Sequence, residues 1–205
     1  MISSCINQYY IKKETIQSVK KRLREEGIVL LEDILVKSAV GQLKSLKALF
    51  KPRYRPMHYK LSVAEVPRGQ KTIKSSKRTN PTINHLFDFV KRITGQDVKK
   101  QYGKQGLKLF QAGIGDYTLL NDHQESVHHE ARRRYSFIFD MTPFWNPKWG
   151  GQVVVELKKS GESIVIQSKE NSLLILNNKN ARFFIKRINH HAKSKQLFLA
   201  QFPVR

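Results

Sequence analysis

Cysteine is almost missing from this chain: Cys5 is the only one in 205 residues. A single thiol excludes an internal disulfide framework, and with it a disulfide partner or a thiolate-rich metal site. Cys5 reads as a free thiol near a loose chain end. Long apolar runs are also lacking, none approaching the roughly 20 residues that span a bilayer. Met1 to Lys13 lacks a basic start followed by an apolar stretch, so no secretory leader is expected. These absences point to an intracellular, cytoplasmic protein without a membrane partner. A Gly-rich phosphate loop followed by Lys-Ser/Thr, a nucleophile elbow and a Cys/His zinc pattern are missing too. Acidic residues are scarce, 16 against 38 Lys plus Arg, for a formal charge of +22. Such a field draws polyanions and speeds their encounter, which makes RNA or a ribonucleoprotein the expected partner.

What is present is enough for a core. Apolar residues make up 40% of the chain, which excludes general disorder, and the length suits one domain over 1–205. The spacing of Ile16, Val19 and Leu23 predicts a helix over 14–26, stopped by Gly27, and the apolar run 27–31 reads as a strand. Ser38 is placed to cap a second helix carrying Val40, Leu43, Leu46 and Phe50 on one stripe. Asn80-Pro81 opens a third, with Ile83, Leu86, Phe87, Val90 and Ile93 on one face and Gly95 at its end. Residues 1–50 and 80–95 are thus helical support.

Between them, 51–79 reads as a basic loop insertion. Pro52, Pro56, Pro67 and Gly69 interrupt it, and Arg53, Arg55, Lys60, Lys71, Lys74, Lys77 and Arg78 are its candidate nucleic-acid contacts. Tyr54, His58 and Tyr59 lie among these cations, a mixture suited to phosphate contacts with base stacking. From 105 to 205 the period changes to that of strands. About eight short β-rich runs follow: 107–111, 116–120, 133–141, 152–157, 163–167, 172–176, 182–188 and 196–202. No helix separates them. The expectation is an antiparallel sandwich or barrel with helices packed on one sheet, formally α+β.

One polar segment interrupts the strands, Asn121-Asp-His-Gln-Glu-Ser-Val-His-His-Glu130. Gly115-Asp-Tyr-Thr-Leu-Leu120 precedes it, and Arg134-Tyr-Ser-Phe-Ile-Phe-Asp-Met-Thr142 and Trp145…Trp149-Gly-Gly151 follow. In this order and spacing the motifs resemble the prolyl-hydroxylase-like branch of the iron(II)/2-oxoglutarate oxygenases. The resemblance continues through Leu173-Leu-Ile-Leu176 to a closing strand at Lys195–Phe202, and covers most of the chain except 51–80. It implies a jelly-roll-like double-stranded β-helix binding Fe(II) and 2-oxoglutarate, and hydroxylation of a protein or nucleic-acid substrate. Two imidazoles and a carboxylate would hold one face of the metal and leave the other open.

In that reading His123 and Glu125 form the His-x-acid pair, with His190 as the remaining imidazole, and Tyr117 and Lys195 bind the co-substrate. His128-His129-Glu130 has the same spacing but lies too close to the Arg134 strand. A stricter count from Gly115 puts Asn121 in the place of the first His and His123 in that of the acid. Both registers stay open. Where the family has its distal His, this chain carries Phe183 or Phe184, neither able to ligate iron. The other reading is therefore a catalytically degenerate oxygenase fold acting as a basic RNA- or ribonucleoprotein-binding module.

Overall fold

Alternation along each strand divides the apolar side chains between two separate cores. A computed structural model of the chain describes residues 5–49, 62–65, 81–95, 108–118 and 134–201; at 44–49, 62–65, 108, 109 and 201 it describes the backbone alone. The elements run α1 (Gln8–Ile11), α2 (Lys13–Glu25), β1 (Ile28–Leu31), α3 (Lys37–Leu49), β2 (Ser62–Glu65), α4 (Pro81–Thr94) and β3 (Lys108–Ala112). Then come β4 (Tyr135–Asp140), β5 (Val153–Leu157), β6 (Ser163–Ile166), β7 (Ser172–Asn177), β8 (Ala181–Ile185) and β9 (Gln196–Gln201). They form a six-stranded antiparallel sheet, β1-β7-β4-β9-β3-β2, facing a three-stranded one, β6-β5-β8.

One face of the large sheet presents Phe137, Phe139, Leu173, Ile175, Leu197 and Leu199 to the helices. There they pack with Val19 and Leu23 of α2, Leu43 of α3, and Leu86, Phe87 and Val90 of α4. The alternate residues, Ile138, Leu174, Leu176, Phe198 and Ala200, point the other way. They meet Val153, Val155, Ala181, Phe183 and Ile185 of the small sheet, and this second cluster fills the space between the sheets. Two sheets and a helical layer make the α+β double-stranded β-helix.

On α2 Val19 and Leu23 are buried and Ile16 half-buried, the face expected on α4 is buried, and Gly95 ends α4 with φ 73°. Helix α3 begins one residue before the expected cap. The Ala39 and Val40 amides both donate to the Val36 carbonyl, at 3.0 and 3.1 Å, so Ser38 lies within the first turn.

Three expectations need correction. Cys5 is not at a loose end: it is buried, and the next residue, Ile6, bridges Leu35. Asn171 holds Leu35 from the other side, its amide accepting from Leu35 N–H and donating to Leu35 O, both at 2.9 Å. The stretch 51–79 is not loop throughout, because β2 adds to the free edge of β3 in register Ser62↔Gln111. An open edge offers unpaired backbone groups that even a short β-forming run will satisfy. Finally, 116–118 is not a regular strand, although it runs beside the end of β8. Thr118 N–H donates to Ile185 O at 3.0 Å, Gly115 N–H to Ile188 O at 2.9 Å, and Ile188 N–H to Asp116 O at 3.0 Å.

Candidate functional site

In a double-stranded β-helix the space between the sheets is where a ligand site can be built, so its lining decides what it can do. Strand β8 is extended, and its side chains alternate. Ala181, Phe183 and Ile185 enter the inter-sheet cluster, whereas Arg182 and Phe184 are half-buried on the other face. Arg182 there pairs with Glu156 of β5 at 2.5 Å. Phe183 is thus the inward residue, 2% exposed, and Phe184 is not.

Across from it, β9 sends Gln196, Phe198 and Ala200 inward. Gln196 is fully buried. Its Nε2 donates to Gly151 O at 3.1 Å, and its Oε1 has no donor among the described residues. Among the described residues, a cavity between Ile138, Val153, Ser168 and Phe198 measures about 20 Å³. That is the scale of a single water, not of a five-carbon dicarboxylate.

Gly150 and Gly151 allow close approach at this end of the interior, by the Arg187 backbone to the first and the Gln196 side chain to the second. Both have positive φ, 83° and 70°. Trp145 is anchored beside them, its indole N–H donating to Gly150 O at 2.9 Å.

Of the expected site residues only His190, Lys195 and Tyr117 are among the described residues, and none belongs to the inter-sheet cluster. His123 and Glu125 lie outside the described residues, as do Arg53, Arg55, Lys60, Lys71, Lys74, Lys77 and Arg78. His190 is exposed on a turn, its ring centroid 3.9 Å from that of His191. The chain has left β8 by then and is tied down by Asn189 N–H donating to Trp149 O at 2.9 Å. Lys195 is exposed one residue before the inward Gln196, with its stem running over Gly113. Tyr117 is half-buried in the extended piece beside β8. Among the described residues no three His, Cys, Asp or Glu side chains gather as metal ligands would. His190, the one expected ligand among the described residues, lies on an exposed turn and not in the inter-sheet interior. The strand parity Gln196-Phe198-Ala200 was the sequence signal for the inward position on β9, and it favours Gln196 over Lys195.

Asp140, which the motif reading passed over, closes the same interior. Its carboxylate accepts from Thr142 N–H at 2.8 Å and from Ser168 Oγ at 2.5 Å, and burial pushes it up to about 6 from 3.8 despite those bonds. A carboxyl whose folded pKa is raised favours the fold most below its unfolded pKa and loses that contribution as pH rises through the folded one. Stability is expected to fall by roughly 3 kcal/mol between about pH 4 and pH 6 from this group alone. Asp140→Asn should flatten that part of the profile in urea melts. An identical slope in both proteins would remove Asp140 as its source.

Two antiparallel sheets in this strand order, with a helical layer on the larger, define a fold class. The fold is that of the prolyl-hydroxylase-like branch of the iron(II)/2-oxoglutarate oxygenases. Among solved structures, the chain is similar to a Pseudomonas putida prolyl-4-hydroxylase, with TM-score 0.62 and 12% identity, over 93% of this chain and 99% of that one. A Trichoplax adhaerens prolyl hydroxylase, in complex with a hypoxia inducible factor oxygen degradation domain peptide fragment, gives 0.60 and 13%, over 96% of each chain. A Burkholderia pseudomallei oxidoreductase of the 2OG-Fe(II) oxygenase family gives 0.60 and 11%, over 93% and 90%. No family model matches the sequence, and no curated protein matches it.

Proposed function

We propose that this chain keeps the oxygenase fold without its iron chemistry and acts inside the cell as a cationic module that engages RNA or a ribonucleoprotein. The observation that carries the reading is Phe183. A hydrocarbon ring, buried among Val155, Ile185 and their neighbours, occupies the strand from which the resemblance draws the distal imidazole. A ferrous site needs that donor. With the net charge of +22, polyanion binding is the activity that the chemistry left on the chain supports.

The catalytic reading is favoured by one observation, the similarity to prolyl hydroxylases. It would use His123, Glu125 and His190 for Fe(II) and Tyr117 and Lys195 for 2-oxoglutarate, to hydroxylate a protein or nucleic-acid substrate. The surface positions of His190 and Lys195 weigh against it.

Two measurements on the full chain separate the readings. Titration calorimetry with Mn(II) and 2-oxoglutarate should give no saturable heat, and succinate release with iron(II) should equal that of His123→Ala. Binding to single-stranded RNA should weaken linearly on a log–log salt plot, with a slope of about −0.7 per phosphate neutralised. Succinate release that His123→Ala abolishes would overturn the proposal, as would the absence of salt-dependent RNA binding.

A further inference from the structure

Outside the barrel, a groove of about 920 Å³ runs where the chain leaves β4 and enters β9, its lining including Phe144, Trp149, His191, Lys193 and Lys195. Its aromatic side is unusual for a surface. Phe144 is 69% exposed, although it is large and apolar. Its ring meets Trp149 edge-on at 6.0 Å, and Trp149 meets the buried Trp145 edge-on at 5.2 Å. The exposed ring is thereby mounted on an anchored stack.

The two segments forming the groove are braced against each other. Asn189 donates its backbone N–H to Trp149 O at 2.9 Å and its side-chain amide to Lys148 O at 2.6 Å. The same side chain accepts from His191 N–H at 3.0 Å, and Asn146 Oδ1 accepts from Lys148 N–H at 2.9 Å. A surface built this way orders little on binding.

Its charge is of one sign. The segments 143–151 and 186–195 carry Lys148, Lys186, Arg187, Lys193 and Lys195, all exposed, and no acidic residue. Asp116, on the adjoining stretch, directs its carboxylate to Gly113 N–H at 2.8 Å.

We infer that this groove takes an unpaired nucleobase of single-stranded nucleic acid, stacked on the exposed Phe144 ring that Trp149 braces edge-on, with the flanking phosphates on Lys193 and Lys195. The inference rests on the polyanion reading above and deepens it, by naming the surface and the form of the ligand. A flat π-face beside backbone phosphates is what an exposed, braced aromatic ring with lysines near it complements. A duplex keeps its bases stacked inside and cannot offer one. The groove lies at the end of β5 and β8 marked by Val153 and Ile185, away from the end marked by Leu157 and Ala181. Charge reversals at that far end serve as controls.

The test measures anisotropy of a labelled single-stranded oligonucleotide, its duplex form, and binding to phosphatidylserine vesicles, using the full chain. Phe144→Ala, an exposed position whose loss leaves the core intact, should weaken single-strand binding roughly tenfold. Lys193→Glu with Lys195→Glu should weaken it further and reduce the salt slope by about 2. Lys159→Glu with Lys179→Glu should change binding much less. Tryptophan fluorescence, from Trp145 and Trp149 together, should change on binding in the wild type.

If the wild type binds but groove and control variants lose affinity equally, the groove assignment fails and the polyanion reading survives. If the wild type binds no oligonucleotide, both fail. Duplex bound as tightly as single strand, or vesicle binding that Phe144→Ala abolishes while oligonucleotide binding persists, overturns the stacked-base assignment.

Discussion

Phe183→Ala is expected to lose about 3–5 kcal/mol of folding stability, the range for truncating a fully buried phenylalanine. The ring is 2% exposed and touches the cluster shared by both sheets, with Val153 and Val155 on one side and Phe198 and Ala200 on the other. Removing it deletes contacts from both layers, and two hydrogen-bonded sheets cannot close the gap without giving up register. A small domain holds only about 5–15 kcal/mol in total, so the variant loses roughly a fifth of its margin at the least. Equilibrium urea unfolding measures it directly. Phe183→His separates packing from ligation: it should also destabilise, by about 2 kcal/mol, because an imidazole there finds an apolar wall. It should bring no Mn(II) binding. A loss below about 1 kcal/mol for the alanine variant would mean that the interior is loosely filled, contrary to the basis of the non-catalytic reading.

Gly150→Ala should be nearly as damaging for a different reason. Gly150 has φ 83° and ψ −150°, a region open essentially to glycine alone, and a Cβ there would lie 2.1 Å from the Arg187 carbonyl oxygen. That neighbour is backbone, so the strain is relieved only by moving the segment that Asn189 ties to Trp149. A loss of about 3 kcal/mol is expected, with weaker oligonucleotide binding because the groove is built on the same two segments. Gly151→Ala should be milder. Its Cβ would meet the Gln196 amide, with the nearest atom at 2.4 Å, and a side chain can rotate away. Thermal melts of the two variants test the order; equal losses would show that Gln196 is held as rigidly as the backbone.

Much of this architecture was legible along the chain. Helical spacing marked Val19 and Leu23, and Ile83, Leu86, Phe87, Val90 and Ile93, and all are buried. Short β-rich runs located β1 and β3 to β9 to within a residue or three. The motif order from Gly115 to Gly151 pointed to the fold that the sheets then formed. The candidate site was less legible. His123 and Glu125 lie outside the described residues, and the placement of His190 and Lys195 at the surface depended on how the chain left β8 and entered β9. The strand β2 was hidden because its run is short and set among prolines and cations, and only the open edge of β3 gives it partners.

The sequence by itself determined the elements, their order and the excess of positive charge, because period and composition are local properties that the backbone reads directly. Tertiary structure alone decided that Phe183 faces inward and Phe184 does not, that Gln196 and not Lys195 enters the barrel, and that Cys5 is buried. A strand has two equivalent faces until a neighbour fixes its register, and a one-residue change exchanges them. The pairing of Val155 with Phe183 and of Ala112 with Gln196 supplied that choice here.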